Sequence, residues 1–167
     1  RKKMSSSQDS EIVNLLKTAG AIIMGKTVTC ELAYIHPSKT KNPHDYSRTP
    51  GGSSSGSAAV VASHMAHLSI GSQTGGSIIR PASYCGVVGY KPSYGLISRN
   101  GVLKTSDKLD TIGVFGKTVK DVALLAKTLI KKDLYDPATV HFAADDMIKT
   151  CEEGPVFEPK FIFYKTD

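Results

Sequence analysis

Gly51-Gly52-Ser53-Ser54-Ser55-Gly56-Ser57-Ala58-Ala59 is the stretch on which the reading of this chain turns. A second cluster, Gly71-Ser72-Gln73-Thr74-Gly75-Gly76-Ser77, follows after an apolar segment of small residues. Glycine allows backbone N–H groups to turn toward a reacting oxygen, and serine supplies a nucleophile or a proton relay. Two such loops joined by one buried element have the composition of a hydrolytic site. The competing reading is a flexible Gly/Ser linker. A linker is polar throughout, however, and here Ala58-Ala59-Val60-Val61-Ala62 begins directly after the first cluster.

Outward from this block, the chain reads as helices alternating with short apolar strands. Asp9 or Ser10 offers an N-cap for a helix over 11–19, with Ile12, Val13, Leu15, Leu16 and Ala19 as its apolar stripe. Gly20 ends it as a left-handed cap. Ala21-Ile22-Ile23-Met24 then reads as a buried strand. Residues 26–50, broken by Pro37, Asn42-Pro43, Asp45 and Pro50, form a long loop that either lines a substrate entrance or runs over the surface. A helix is expected from Gly56 to about Ala66, with Ala58, Ala62 and Ala66 as a smooth face, and His64 and His67 as polar residues at its end.

Leu68-Ser69-Ile70 is a brief strand feeding the second cluster, and a helix start after Ser77 would aim its N–H groups at a developing anion. Strands are also expected around Val87–Tyr90, at Ile112–Phe115 and at Lys160-Phe161-Ile162-Phe163-Tyr164. Thr118 and Asp121 form a capping box before a helix whose buried side is Val119, Val122, Ala123, Leu125, Ala126, Leu129 and Ile130. The fold class is α/β, a central mixed sheet flanked by helices.

At 167 residues and 40% hydrophobic content the chain can bury one core, built without tryptophan. The formal charge of +6 permits an anionic partner, but the basic residues are scattered and no aromatics are interleaved with them. Nucleic-acid binding is therefore not expected. Cys30, Cys85 and Cys151 are too few and too widely spaced for a disulfide framework or a metal motif. With no apolar run of membrane-spanning length, the reading is a cytoplasmic, reducing compartment and no membrane partner. Residues 1–8 read as a polar, disordered-prone tail or the severed end of an earlier element, and the initial arginine suggests a processed, cut or partial product.

Taken together, Gly51-Gly52-Ser53-Ser54, Gln73-Thr74-Gly75-Gly76-Ser77, Arg80-Pro81-Ala82, Cys85-Gly86-Val87 and Gly89-Tyr90-Lys91-Pro92 resemble the amidase signature family. The resemblance continues through Leu109-Asp110-Thr111-Ile112-Gly113 and the Thr118 helix. It implies one partial amidase domain over 1–167, incomplete at both ends, with its signature core at about 50–97. It further implies amide hydrolysis through an acyl-enzyme, with Ser77 as nucleophile and Ser53 as a relay held in a cis peptide. Backbone N–H groups of Thr74, Gly75, Gly76 and Ser77 would form the oxyanion hole, and Ser54 would support them by hydrogen bonding.

The family's catalytic lysine matches no residue of this chain, and neither a metal nor an organic cofactor is implied. The implied partner is a small-molecule amide, with self-association or docking to the missing part of the domain. A non-catalytic scaffold and a component like the amidotransferase A-subunit are the alternatives. Gln73 in place of a common aspartate, Ser55 in place of a common glycine, and Arg80 three residues after Ser77 rather than two lean toward a stand-alone amide hydrolase.

Overall fold

The computed structural model describes residues 8–144, 146–155 and 157–163. Its α-helices are α1 (Glu11–Thr18), α2 (Ser55–Ala62), α3 (Ile79–Cys85), α4 (Val119–Leu129) and α5 (Met147–Glu153), with a short 3-10 turn at Glu31–Ala33; its strands are β1 (Ser69–Gln73), β2 (Val88–Tyr90) and β3 (Thr111–Gly116).

The central strand is β3, with β1 on one side and β2 on the other, both antiparallel to it. All six of its residues are buried. Alternation along the strand sorts its side chains between two layers. Ile112 and Val114 join Ile12 and Leu16 of α1 and Val122, Leu125, Ala126 and Leu129 of α4. On the other face Phe115 joins Ala58, Val61 and Ala62 of α2 and Ile78, Ala82 and Cys85 around α3. The α/β architecture, a sheet flanked by helices, follows from this division. Gly113 belongs to the second face: a Cβ there would stand 2.3 Å from Ile78 Cδ1, so the missing side chain is the space that Ile78 fills.

Local signals produced the helix ends. Ser10 is the N-cap of α1. At its other end Gly20, at φ +82°, lets its N–H reach Lys17 O while the Ala21 N–H reaches Leu16 O, the paired bonds of a Schellman cap. Ala19, counted in the apolar stripe, is instead an exposed cap residue. Thr118 Oγ1 accepts from Asp121 N at 3.1 Å, and Asp121 Oδ2 accepts from Thr118 N at 2.8 Å. Val119 departs from the expected stripe and is exposed. It stands at the first helical position, where it borders an open apolar groove of about 350 Å³ shared with Phe142 and Met147 of the α5 region.

Two expected strands do not form. Residues 21–24 leave the cap of α1 without regular structure, and Ile22 is 89% exposed. Residues 160–163 are likewise irregular, with Ile162 95% exposed; Tyr164 lies outside the described residues. A strand needs a neighbour to satisfy its backbone, and none of the three described strands pairs with either segment. The expected helix over 56–66 starts one residue earlier and stops at Ala62, since His64 turns to φ +59°. Residues 133–159 looked weakly patterned, yet they contain α5, which packs on α4 and ion-pairs through Glu152 to Lys120. Except for Gln8, the expected tail at 1–8 lies outside the described residues. No described helix is long and apolar enough to cross a membrane.

The segment between β2 and β3 is held by a buried ion pair. Arg99 Nη2 and Nε meet Asp136 Oδ1 and Oδ2 at 3.0 and 3.1 Å, and Arg99 N donates to the same carboxylate at 2.8 Å. Burial works to raise the Asp136 pKa, but the Arg99 hydrogen bonds outweigh it and the carboxyl stays below its ordinary value of 3.8. Removing one partner of such a pair leaves a buried charge uncompensated. Asp136→Asn is therefore expected to lower unfolding stability at neutral pH by about 3 kcal/mol in urea titrations. A lowered folded-state pKa gives stability that is complete above the unfolded value and lost as pH falls through the folded one. The wild type should accordingly lose stability below about pH 4, and the variant should show a shallower acid limb there.

Candidate active site

The two glycine clusters meet at one seam, where the entrance to α2 crosses β1. Gly51 takes φ +78°, and a Cβ there would stand 2.9 Å from Pro81 Cα, so only glycine lets the loop lie against α3. The Gly52–Ser53 peptide is cis. Ser53 is 4% exposed and its carbonyl accepts from Cys30 N at 3.0 Å; its hydroxyl takes no hydrogen-bond partner among the described residues. Ser54 sits deepest. Its hydroxyl donates to Ser72 O at 3.2 Å and accepts from Ser72 N at 3.3 Å, while its N–H donates to Ser77 O at 3.3 Å.

Gly71 makes this crossing possible, because a Cβ there would stand 2.6 Å from Ser54 Oγ. Two further bonds extend the seam: Ser57 Oγ to Ile70 O at 2.7 Å and Ser69 Oγ to Ser57 O at 2.6 Å. Much of the serine content of the first cluster thus welds a helix to a strand, a role that composition alone does not reveal.

Residues 74–77 form the turn between β1 and α3. Gln73, buried at the end of β1, holds the turn from inside. Its Oε1 accepts from Ile78 N at 2.8 Å and Ile79 N at 3.1 Å, and its Nε2 donates to Gly75 O at 2.9 Å. Gly76 O accepts from Arg80 N at 2.9 Å. With Ser77 O bonded to Ser54 N, the carbonyls of residues 75, 76 and 77 all have partners. Among the described residues, the N–H groups of Thr74, Gly75, Gly76 and Ser77 have no protein acceptor.

A Cβ added at Gly75 would meet nothing within 4 Å, so the turn borders open space there. One at Gly76 would stand 2.9 Å from Arg80 Nη2, and Arg80 Nη1 reaches Gly52 O at 3.4 Å. Ser77 is half-buried, and its hydroxyl has no hydrogen-bond partner among the described residues.

A second side chain also holds the turn. Thr74 Oγ1 donates to Asp110 Oδ1 at 2.5 Å, and Asp110 further accepts from Thr105 N at 2.5 Å and Ser106 N at 2.9 Å. Burial works to raise the Asp110 pKa, but the Thr74, Ser106 and Thr105 hydrogen bonds prevail and keep it below the ordinary value.

Ser53 and Ser77, distant along the chain, are therefore brought to one seam, with a main-chain bond from the residue after Ser53 joining them. Lys26 is exposed, and Lys91 Nζ donates to Pro92 O. His64 and His67 are exposed beyond α2. The 26–50 loop resolves into a strap. Val28 O accepts from Gly56 N at 2.8 Å, Ser38 Oγ pairs with Ser55 Oγ at 2.8 Å, and Asn42 Nδ2 donates to Tyr84 O at 2.9 Å. No group of His, Cys, Asp and Glu suited to a metal occurs among the described residues.

A family model described as Amidase matches residues 1–156. The chain is 46% identical over 153 residues to the A-subunit of glutamyl-tRNA(Gln) amidotransferase from Alkaliphilus metalliredigens, covering 87% of this chain and 31% of that protein. The crystal structure of the corresponding Thermotoga maritima protein superposes with a TM-score of 0.80 at 43% identity, over 84% of this chain and 32% of that one. Native peptide amidase from Stenotrophomonas maltophilia gives a TM-score of 0.79 at 36% identity, over 84% and 32%. The chain spans about a third of the length of the curated relatives it matches. Identity is thus higher to these amidotransferase proteins than to this peptide amidase, against the lean drawn from Gln73, Ser55 and Arg80.

The Gln73 clamp makes its own prediction. Gln73→Ala leaves two N–H groups at the head of α3 and the Gly75 carbonyl without their partner. The expected cost is about 1–3 kcal/mol of unfolding free energy in denaturant titrations.

Proposed function

We propose, from the premise that this chain belongs to the amidase family, that it carries the serine part of an amide-hydrolysing site. We read the chain as a partial domain of a hydrolase, with its signature core at about 50–97. Ser77 Oγ attacks the amide carbonyl carbon. Ser53 passes the released proton toward a base and returns it to the departing amine as the C–N bond breaks. Water then hydrolyses the acyl-enzyme by the same relay. The N–H groups of residues 74–77 stabilise the oxyanion, an effect of about 3 kcal/mol for a single donor. Ser54 holds Ser77 and β1 in register for this step.

The observation that carries the reading is the polarity of the turn: its carbonyls at 75–77 are bonded within the protein while, among the described residues, four consecutive N–H groups have no acceptor. An amide hydrolysed this way calls for no metal or organic cofactor. No lysine of this chain is assigned as base. The base comes from the part of the relatives' length that the match does not cover, so activity belongs to a polypeptide of that full length. Free Cys30, Cys85 and Cys151 support a reducing, cytoplasmic setting.

A second reading is favoured by the identities to the glutamyl-tRNA(Gln) amidotransferase proteins. In it the same serine chemistry serves a multi-subunit amidotransferase, and the full-length protein should co-purify with partner proteins in a stoichiometric ratio.

A fluorophosphonate probe tests the nucleophile. In the full-length polypeptide it should label Ser77, and Ser77→Ala should abolish labelling. Ser53→Ala should slow it by about a hundredfold or more. A folded protein labelled at another serine, or not at all, refutes the assignment.

A further inference from the structure

We infer that Asp110 is a positioning residue for the reaction, acting through the Thr74 hydroxyl to hold the 74–77 turn in the conformation that presents its N–H groups. The inference rests on the reading of Ser77 as nucleophile. It starts from an unusual carboxylate. Asp110 is 7% exposed and makes no ion pair among the described residues, yet it is held as the charged form by hydrogen bonds alone.

Those bonds come from two separate stretches. Thr105 N, Thr105 Oγ1 and Ser106 N fix the carboxylate from its own side, and Thr74 Oγ1 reaches it across 36 positions of sequence. Thr111, the next residue, is paired with Gln73 across the β1–β3 ladder, so the carboxylate stands one residue before a paired strand. Oδ1 accepts at 2.5 Å from a hydroxyl that lies on the first residue of the turn.

This bond is directional. A carboxylate can only accept, so the Thr74 hydroxyl must donate to it, which restrains the Thr74 side chain and ties the first residue of the turn to Asp110. Gln73 grips the Gly75 carbonyl from the other side. The glycines at 75 and 76 have little intrinsic preference, and the two anchors supply the order they lack. A neutral amide at 110 retains the shape but weakens a charge-assisted bond. Valine at 74 removes the hydroxyl and leaves the Asp110 bonds to Thr105 and Ser106 in place.

The test is saturation labelling of the full-length polypeptide with a fluorophosphonate, separating the maximal inactivation rate from the half-saturating concentration. Asp110→Asn and Thr74→Val should each lower the maximal rate at least about tenfold, with half-saturation little changed. Thr74→Ser, which keeps the hydroxyl, should restore the rate to near that of the wild type. If Asp110→Asn does not fold, the Thr74 pair decides, with thermal melting as the check that both fold. Labelling of either Asp110→Asn or Thr74→Val at the wild-type rate overturns this inference alone. Equal losses in Thr74→Val and Thr74→Ser overturn it as well. A folded wild type that is not labelled at Ser77 overturns the nucleophile reading, and this inference falls with it.

Discussion

The crossing of α2 over β1 is the contact on which the site depends. It is possible only because Gly71 has no side chain, so that Ser54 can lie against the strand and bond to both polar groups of Ser72. An ordinary residue at 71 would occupy the position of the Ser54 hydroxyl and force the helix away. The seam then propagates. Ser54 N holds Ser77 O, Ser57 and Ser69 add bonds further along, and Ser53 is carried to the same edge as Ser77. Buried hydroxyls of this kind are safe only when satisfied, and among the described residues every fully buried side-chain polar atom has a partner.

What the seam delivers is a sorting of backbone polarity. A turn left to itself exposes carbonyls and N–H groups alike to solvent. Between β1 and α3 the carbonyls of residues 75–77 are taken up by the Gln73 amide, the Arg80 N–H and the Ser54 N–H, and the N–H groups of 74–77 have no protein acceptor among the described residues. Under the proposed function, such a preorganised set of donors would need no rearrangement as negative charge develops in acyl transfer. Asp110 and Gln73 flank the turn as a charged and a neutral anchor, one on each side.

The same distinction between local and non-local causes decides which parts of the chain were legible in its residues. Helices α1 and α4 were readable because their signals are local: an apolar stripe, a glycine after the last turn, a Thr118–Asp121 capping box. The apolar runs at 21–24 and 160–163 carried equally clear composition but do not form strands, because pairing is a property of two segments and the partner is not beside them here. Helix α5 was missed for the opposite reason. Its seven residues have little pattern of their own and are held by packing on α4 and the Lys120–Glu152 ion pair.

The sequence by itself determined the two glycine–serine clusters, their order and the residue types available to a site, because backbone freedom and hydroxyl chemistry belong to individual residues. It also determined the α/β class, through helical stripes that alternate with short apolar segments. Only the tertiary structure decided that Ser54 faces Ser72, that Gln73 and Asp110 grip the turn, and that four successive N–H groups have no protein acceptor among the described residues. Those outcomes depend on hydrogen bonds between residues as much as 36 positions apart, and no local preference encodes which donor will meet which acceptor across such a distance.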